Sequence, residues 1–174
     1  LDAFKTMMAE EDLWPISDAW AYHDWHQGGA GGVAPFMKAM TYRLGEPADL
    51  ADFERKAQLL QYDSHRAIFE GMNAGLFTHN SGRLLWMTHP AWPSTAWQIY
   101  SHDYDTHASY FGTKKGMEPV HVQVNLPSRA VAVVNSLGSP LDGASVRVRN
   151  CALDGTILED RMFDIDAAPF ATTE

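Results

Sequence analysis

The 174-residue chain contains one cysteine, Cys151. A lone thiol excludes an intrachain disulfide and a cysteine-based zinc site. It sits in "VRVRNCALDG", where an inert strand or turn position explains it better than a nucleophile would. Positive charge is also scarce. Thirteen Lys and Arg stand against twenty-two Asp and Glu, a net charge of −9, and the longest basic cluster is Lys114-Lys115. Phosphate neutralisation needs clustered cations, so no nucleic-acid partner is expected. No apolar run approaches the ~20 residues of a membrane span, so no membrane partner is expected either. Internal repeats and low-complexity tracts are missing. A starting Met is missing too, and both ends read as cut. An internal start would remove any signal peptide, which leaves the compartment open.

Hydrophobic residues make up 45% of the chain, enough for a core. Aromatics reach 11%, with six tryptophans, and that surplus must be buried or used. Three regions differ in pattern. Up to about Asn80 the chain reads mostly helical. A short helix with Asp2 as its cap is followed by a Gly-rich stretch, "HDWHQGGAGGVAP". A second helix is predicted at "PFMKAMTYRLG", from Pro35 to Gly45. The clearest element is a long amphipathic helix over "DLADFERKAQLLQYDSHRAIFEGMNAG". Its apolar positions are Leu50, Phe53, Ala57, Leu60, Ile68 and Phe69, with Asp49 or Asp52 as cap and Gly71 and Gly75 at its exit.

"GRLLWMTH" is a continuous apolar run, which suits a strand buried on both faces of a parallel sheet. A further helix is predicted near "THASYFGTKKGME". Helix, buried strand, aromatic loop and helix together form a β/α repeat. From Pro119 the period becomes two. "VHVQVNL", "AVAVVNS", "ASVRVRNCAL" and "RMFDIDA" predict about four short strands of an antiparallel β-sandwich, roughly half of a seven-stranded one. The fold class is therefore α/β followed by all-β.

Candidate chemistry gathers around the apolar run. Functional groups of a β/α barrel lie at the C-terminal ends of its strands, which would deliver Trp86, His89 and Trp92 to the rim. A tryptophan there can stack on the C–H face of a sugar while His89 bonds a hydroxyl. Equally, Trp86 fits a core position and His89 a satisfied loop residue. In "AYHDWHQGG", His23, Asp24 and His26 have the spacing of metal ligands, of a ligand-lining loop, or of a structural loop; no third metal ligand is evident. Asp103 and Asp105 in "SHDYDTH" fit an acid/base carboxylate pair on one strand face, or a helix cap. Glu70 and Glu118, on or near helices, read as solvated or capping groups.

Several stretches together resemble glycoside hydrolase family 2: "DLWPISDAWAYHDWHQGG", "DFERKAQLLQYDSHRAIFEGMNAG", "LLWMTHPAWPSTAWQIYSHDYDTHASYFGTKKGMEPVHVQVNL" and "AVAVVNS". The branch is the one holding exo-β-D-glucosaminidases and mannosylglycoprotein endo-β-mannosidases. The resemblance implies residues 1–118 as the C-terminal portion of a (β/α)8 TIM barrel. Residues 119–174 would be the first strands of an immunoglobulin-like β-sandwich. "RLLWM" would be the eighth barrel strand. Family members are retaining enzymes whose acid/base follows the fourth strand and whose nucleophilic Glu ends the seventh. Both would lie upstream of Leu1, so this chain should hold no catalytic residue and show no activity alone. Trp86, His89, Pro90 and Trp92 match the segment bordering the bound sugar, and His23 to His26 match the loop after the seventh strand. The expected partner is a carbohydrate with β-linked mannose or glucosamine. No cofactor and no metal are expected, because cation ligands would also lie upstream. The family likeness is compatible with a secreted or periplasmic location. A non-catalytic carbohydrate-binding or interaction module is the alternative.

Overall fold

The computed structural model describes residues 2–23, 33–95 and 98–174. Helices come first and antiparallel sheets follow. The chain divides into two compact units. One comprises Leu1–Ala67 with Leu84–Lys115, and the other Ile68–Arg83 with Gly116–Glu174.

In the first unit, α1 (Asp2–Met7), a 3-10 turn (Glu10–Asp12), α2 (Asp18–His23), α3 (Ala34–Leu44) and the start of α4 (Leu50–Asn73) surround an apolar cluster. Trp20 of α2 is buried edge-on against Phe53 of α4, ring centres 5.3 Å apart at 88°. Its indole N–H donates to Asp12 O at 3.0 Å, so the one polar atom of the ring is satisfied inside. Met40 and Leu60 complete the centre. Each such side chain contributes roughly 1.5–3 kcal/mol on leaving water. The ends of α3 and the start of α4 follow the predicted signals, whereas Asp2, expected as a cap, lies within α1. Pro35 stands in the first turn of α3, and Gly45, at φ 80°, closes it with its N–H on Thr41 O. Asp49 Oδ1 accepts the Asp52 N–H at 2.8 Å and so caps α4. Asp52, in the first turn, accepts from Ala48 N and binds Lys56 at 2.8 Å.

Three expectations need correction here. Ile68 is exposed while its neighbour Phe69 is buried. Successive helix residues point about 100° apart, so one of the pair must turn outward. Gly71 lies inside α4, which exits only after Asn73. The run at 83–86 forms no strand, and Leu84 is 99% exposed. A parallel strand exists through hydrogen bonds to its neighbours. Among the described residues no strand pairs with this one. The last helix of the unit, α5 (Ala108–Gly116), does form, and it approaches α4 closely. A Cβ on Gly112 would stand 2.3 Å from Tyr62 O, so only glycine permits this contact.

The second unit holds five strands rather than four. β1 (Val120–Val124), β2 (Val131–Asn135) and β5 (Ala171–Thr173) form one antiparallel sheet in the order β1-β2-β5. β3 (Leu141–Cys151) and β4 (Ile157–Ala167) form a long hairpin. Cys151 ends β3 and is exposed. β1 alternates as its sequence requires, with its polar face inward. His121, Gln123 and Asn125 are buried, whereas Val120, Val122 and Val124 are exposed. The reason lies in the polar C-terminal end of α4. Asn73 donates to Gly116 O and Gln123 Oε1, and Gln123 donates to Glu70 O at 2.7 Å. Arg83 donates to Phe69 O and Asn73 Oδ1 while its guanidinium lies 4.7 Å over the Phe69 ring. His121 sits between Glu70 Oε1 at 2.9 Å and Glu118 Oε2 at 3.2 Å. Glu70 is thus the partner of a buried imidazole rather than a solvated or capping group, whereas Glu118 pairs with the same ring while its side chain stays 41% exposed, as its sequence context suggests.

Two measurements follow from these contacts. The Lys56 ammonium and the Ala48 N–H, in that order, hold the Asp52 carboxyl down from 3.8 to about 2. A value lowered by folding means stabilisation that is complete above pH ~4 and is lost as the pH falls through about 2. Asp52→Asn should therefore lower the melting temperature at neutral pH, with the gap to wild type closing toward pH 2. Glu70→Ala removes an acceptor from a ring that is 1% exposed, and should cost about 1–3 kcal/mol in denaturant unfolding of the full-length protein. Wild-type stability in that variant would mean that His121 does not depend on Glu70.

Candidate functional site

Two aromatic groups stand at the surface of the first unit, and each is assembled by a histidine. The first joins the end of α2 to the segment at 92–95. Thr95 N–H donates to His23 O at 2.8 Å, and His23 Nδ1 donates to Pro93 O at 2.9 Å. A carbonyl only accepts, so Nδ1 carries a proton. The His23 ring stacks on Trp92, centroids 5.4 Å apart at 26°. Tyr22 meets both rings edge-on, at 5.2 Å from each. Tyr22 is 64% exposed and Trp92 36%. α2 explains the division of labour: Trp20 points into the core, and two residues later the helix turns Tyr22 outward.

The second group surrounds His89. Its Nε2 donates to His102 O at 3.0 Å, and its ring lies flat on Tyr104, 4.3 Å away at 12°. His102 stacks more loosely at 6.0 Å. The loop carrying Tyr104 is tightly bonded. Tyr100 N–H donates to Thr88 O, Ser101 N–H to Asp105 O, and Tyr104 N–H to Ser101 O. Asp105 N–H donates to Ser101 Oγ, and the Asp105 carboxylate accepts from Thr106 N–H at 2.8 Å.

Of the residues singled out by sequence, His23 and Trp92 come together, while His89 pairs with Tyr104 and His102. Trp86 is 82% exposed, so a core role does not apply, and its peptide bond to Met87 is cis. His26 and Asp24 lie outside the described residues. Among the described residues, no three His, Cys, Asp or Glu side chains form a group that could hold a metal. Asp103 and Asp105 lie in a turn rather than on one face of a strand. The Asp105 carboxylate accepts from Thr106 N–H, and the first N–H of α5, that of Ala108, is bound by Gln58 Oε1 at 2.8 Å. Two aromatic members escaped the sequence reading. Tyr22 neighbours His23, and Tyr104 lies between the two aspartates that drew attention instead. Flat apolar faces with a few fixed polar atoms suit recognition of sugar rings and other small molecules.

No family model matches the chain. It is 34% identical over 162 residues to an exo-beta-D-glucosaminidase of Amycolatopsis orientalis, a match covering 90% of this chain and 16% of that protein. An exo-beta-D-glucosaminidase of Streptomyces avermitilis is 36% identical, over 92% of this chain and 18% of its own length. A mannosylglycoprotein endo-beta-mannosidase of Lilium longiflorum is 38% identical, over 64% of this chain and 12% of its own. The crystal structure of the Amycolatopsis orientalis exo-chitosanase CsxA superposes with a TM-score of 0.90 at 31% identity. That superposition covers 99% of this chain and 21% of the exo-chitosanase. The chain therefore spans about a fifth or less of each of these relatives. In sequence and in fold it belongs to the glycoside hydrolase branch that holds exo-β-D-glucosaminidases and mannosylglycoprotein endo-β-mannosidases.

Proposed function

We propose that the chain is a substrate-binding portion of a retaining β-glycosidase of glycoside hydrolase family 2, acting on β-glucosaminidic or β-mannosidic bonds. The observation that carries this reading is the match to exo-β-D-glucosaminidases along nine-tenths of the chain. In it, residues 1–118 are the last part of a (β/α)8 barrel and residues 119–174 begin an immunoglobulin-like sandwich. In this reading the apolar run at 83–86 is the eighth barrel strand once its neighbours flank it, which accounts for a fully exposed Leu84. Trp86, at the end of that strand, offers its indole face to the sugar ring. His89, Trp92 and His23 shape the adjoining wall.

Retaining hydrolysis needs two carboxyls about 5–5.5 Å apart: one protonates the leaving oxygen and the other attacks the anomeric carbon. In this reading both precede Leu1, and the chain binds and orients the sugar without touching the proton or the new bond. The acid/base carboxyl must hold its proton, which favours a neutral-to-acidic optimum. A second reading, a non-catalytic carbohydrate-binding module, draws support from Glu70, Glu118 and Asp105, all engaged in structural contacts. The residues encoded upstream separate the two: a barrel with a Glu ending its seventh strand supports the enzyme.

A panel of aryl β-glycosides, tested on the full-length protein, checks the proposal directly. Hydrolysis of the glucosaminide or mannoside with retained anomeric configuration is expected. Trp86→Ala should lower kcat/KM roughly tenfold or more, equivalent to the loss of an aromatic contact near 1.4 kcal/mol. Turnover by the isolated 174-residue chain would place the nucleophile inside it and overturn the assignment.

A further inference from the structure

We propose that Glu70, His121 and Glu118 hold one shared proton and form a pH-sensitive clamp that fastens β1 to the C-terminal end of α4. The proposal stands apart from the glycosidase reading. All three residues belong to the second unit, and none is among the candidate sugar-binding residues.

Both nitrogens of the buried His121 ring face carboxylate oxygens. Nε2 lies 2.9 Å from Glu70 Oε1, and Nδ1 lies 3.2 Å from Glu118 Oε2. An ionised carboxylate only accepts, and a neutral imidazole carries a single N–H. Two such bonds therefore need a second proton, whether it resides on the ring as imidazolium or on one of the carboxyls. With the ring 1% exposed, solvent does not replace a bond that is lost. Each element packed against the ring contributes one neighbour. α4 supplies Glu70, the segment before β1 supplies Glu118, and β2 sets the apolar Val134 opposite His121. The other charged groups of the network are engaged elsewhere: Arg83 donates to Phe69 O and Asn73 Oδ1, and Glu174 accepts from Asn125 Nδ2.

Removing the shared proton leaves a ring lone pair opposite a carboxylate oxygen, and attraction turns into repulsion. The Glu118 side chain is 41% exposed and can swing to water, whereas Glu70, at 14%, stays covered. The clamp therefore opens on the Glu118 side. In an unfolded chain an imidazole gives up its proton between about pH 5 and 8, while the folded trio retains one to complete both bonds. The folded state then binds the extra proton, so the stability contributed by the clamp falls as the pH rises through that range. Asn73 and Gln123 join the same two elements without titrating, so β1 loosens at high pH but is not released.

Hydrogen exchange of the full-length protein, followed by mass spectrometry on peptides covering β1, measures this local opening. After correction for the intrinsic pH dependence of exchange, wild-type protection of β1 should fall from about pH 5.5 to about pH 8.5, by up to about tenfold per pH unit, the limit for release of one proton. A peptide from α3, which contains none of the trio, is the reference and should show no such fall. Glu118→Gln should flatten the β1 profile. Its amide can donate to Nδ1 while Nε2–H donates to Glu70, so no extra proton is needed. Glu70→Gln should flatten it through the mirror arrangement. A merely structural role for the carboxylates would lower protection in the variants and leave the slope as it is in wild type. A wild-type profile that parallels the reference, or a slope retained in Glu118→Gln, overturns the clamp. If Glu70→Gln leaves β1 unprotected at every pH, the slope in Glu118→Gln, at the surface, decides alone.

Discussion

The edge-on contact of Trp20 with Phe53 fixes what the first unit can present. Trp20 ties α2 to α4, and its indole N–H satisfies the Asp12 carbonyl of the turn before it. With that residue locked inward, the 100° step of the helix sends Tyr22 outward. His23, at the last position of α2, then takes up Pro93 O and Thr95 N–H, bringing Trp92 against its ring. Core packing and surface chemistry are thus separated by only two residues. A disturbance of the Trp20 pocket would be felt by the aromatic surface without touching it.

Much of this was legible in the sequence where the cause is local. Pro35 and Gly45 bound α3, and Asp49 starts α4, because caps act within one turn. The switch to antiparallel strands after Pro119 was also readable, since alternation and turn residues are local properties. The failures share a different cause. Whether Leu84 lies in a strand depends on neighbours, and an apolar run cannot supply its own hydrogen-bond partners. Which face of β1 is buried depends on α4, some fifty residues earlier in the chain. A rule of valines inward would choose wrongly, because Glu70 and Asn73 supply partners for His121 and Gln123. Polar residues with matched partners can displace aliphatic ones from the covered face, since a buried polar group is costly only when unpaired.

The same logic explains why the candidate site was found only in outline. Trp86, Trp92 and the histidines stood out by residue type. Their arrangement did not, since it depends on pairings such as His23 with Pro93, seventy residues apart. Tyr104 was passed over because the aspartates beside it suggested acid/base chemistry. The turn that holds it, with Asp105 bonded to Thr106 N–H, shows that carboxylate serving the backbone first.

His23 and His89 use one device twice. Each donates a ring N–H to a backbone carbonyl of another segment, and each lays its ring on an aromatic neighbour. In each, one imidazole nitrogen is committed to holding a loop, and the flat face sets the angle of a tryptophan or tyrosine. Recognition built this way depends on shape and on the fixed planes of the rings. An imidazole freed from its carbonyl could rotate and lose the stacking geometry. Rigid planes suit a sugar, whose axial C–H groups make one face apolar while its hydroxyls radiate from the edge.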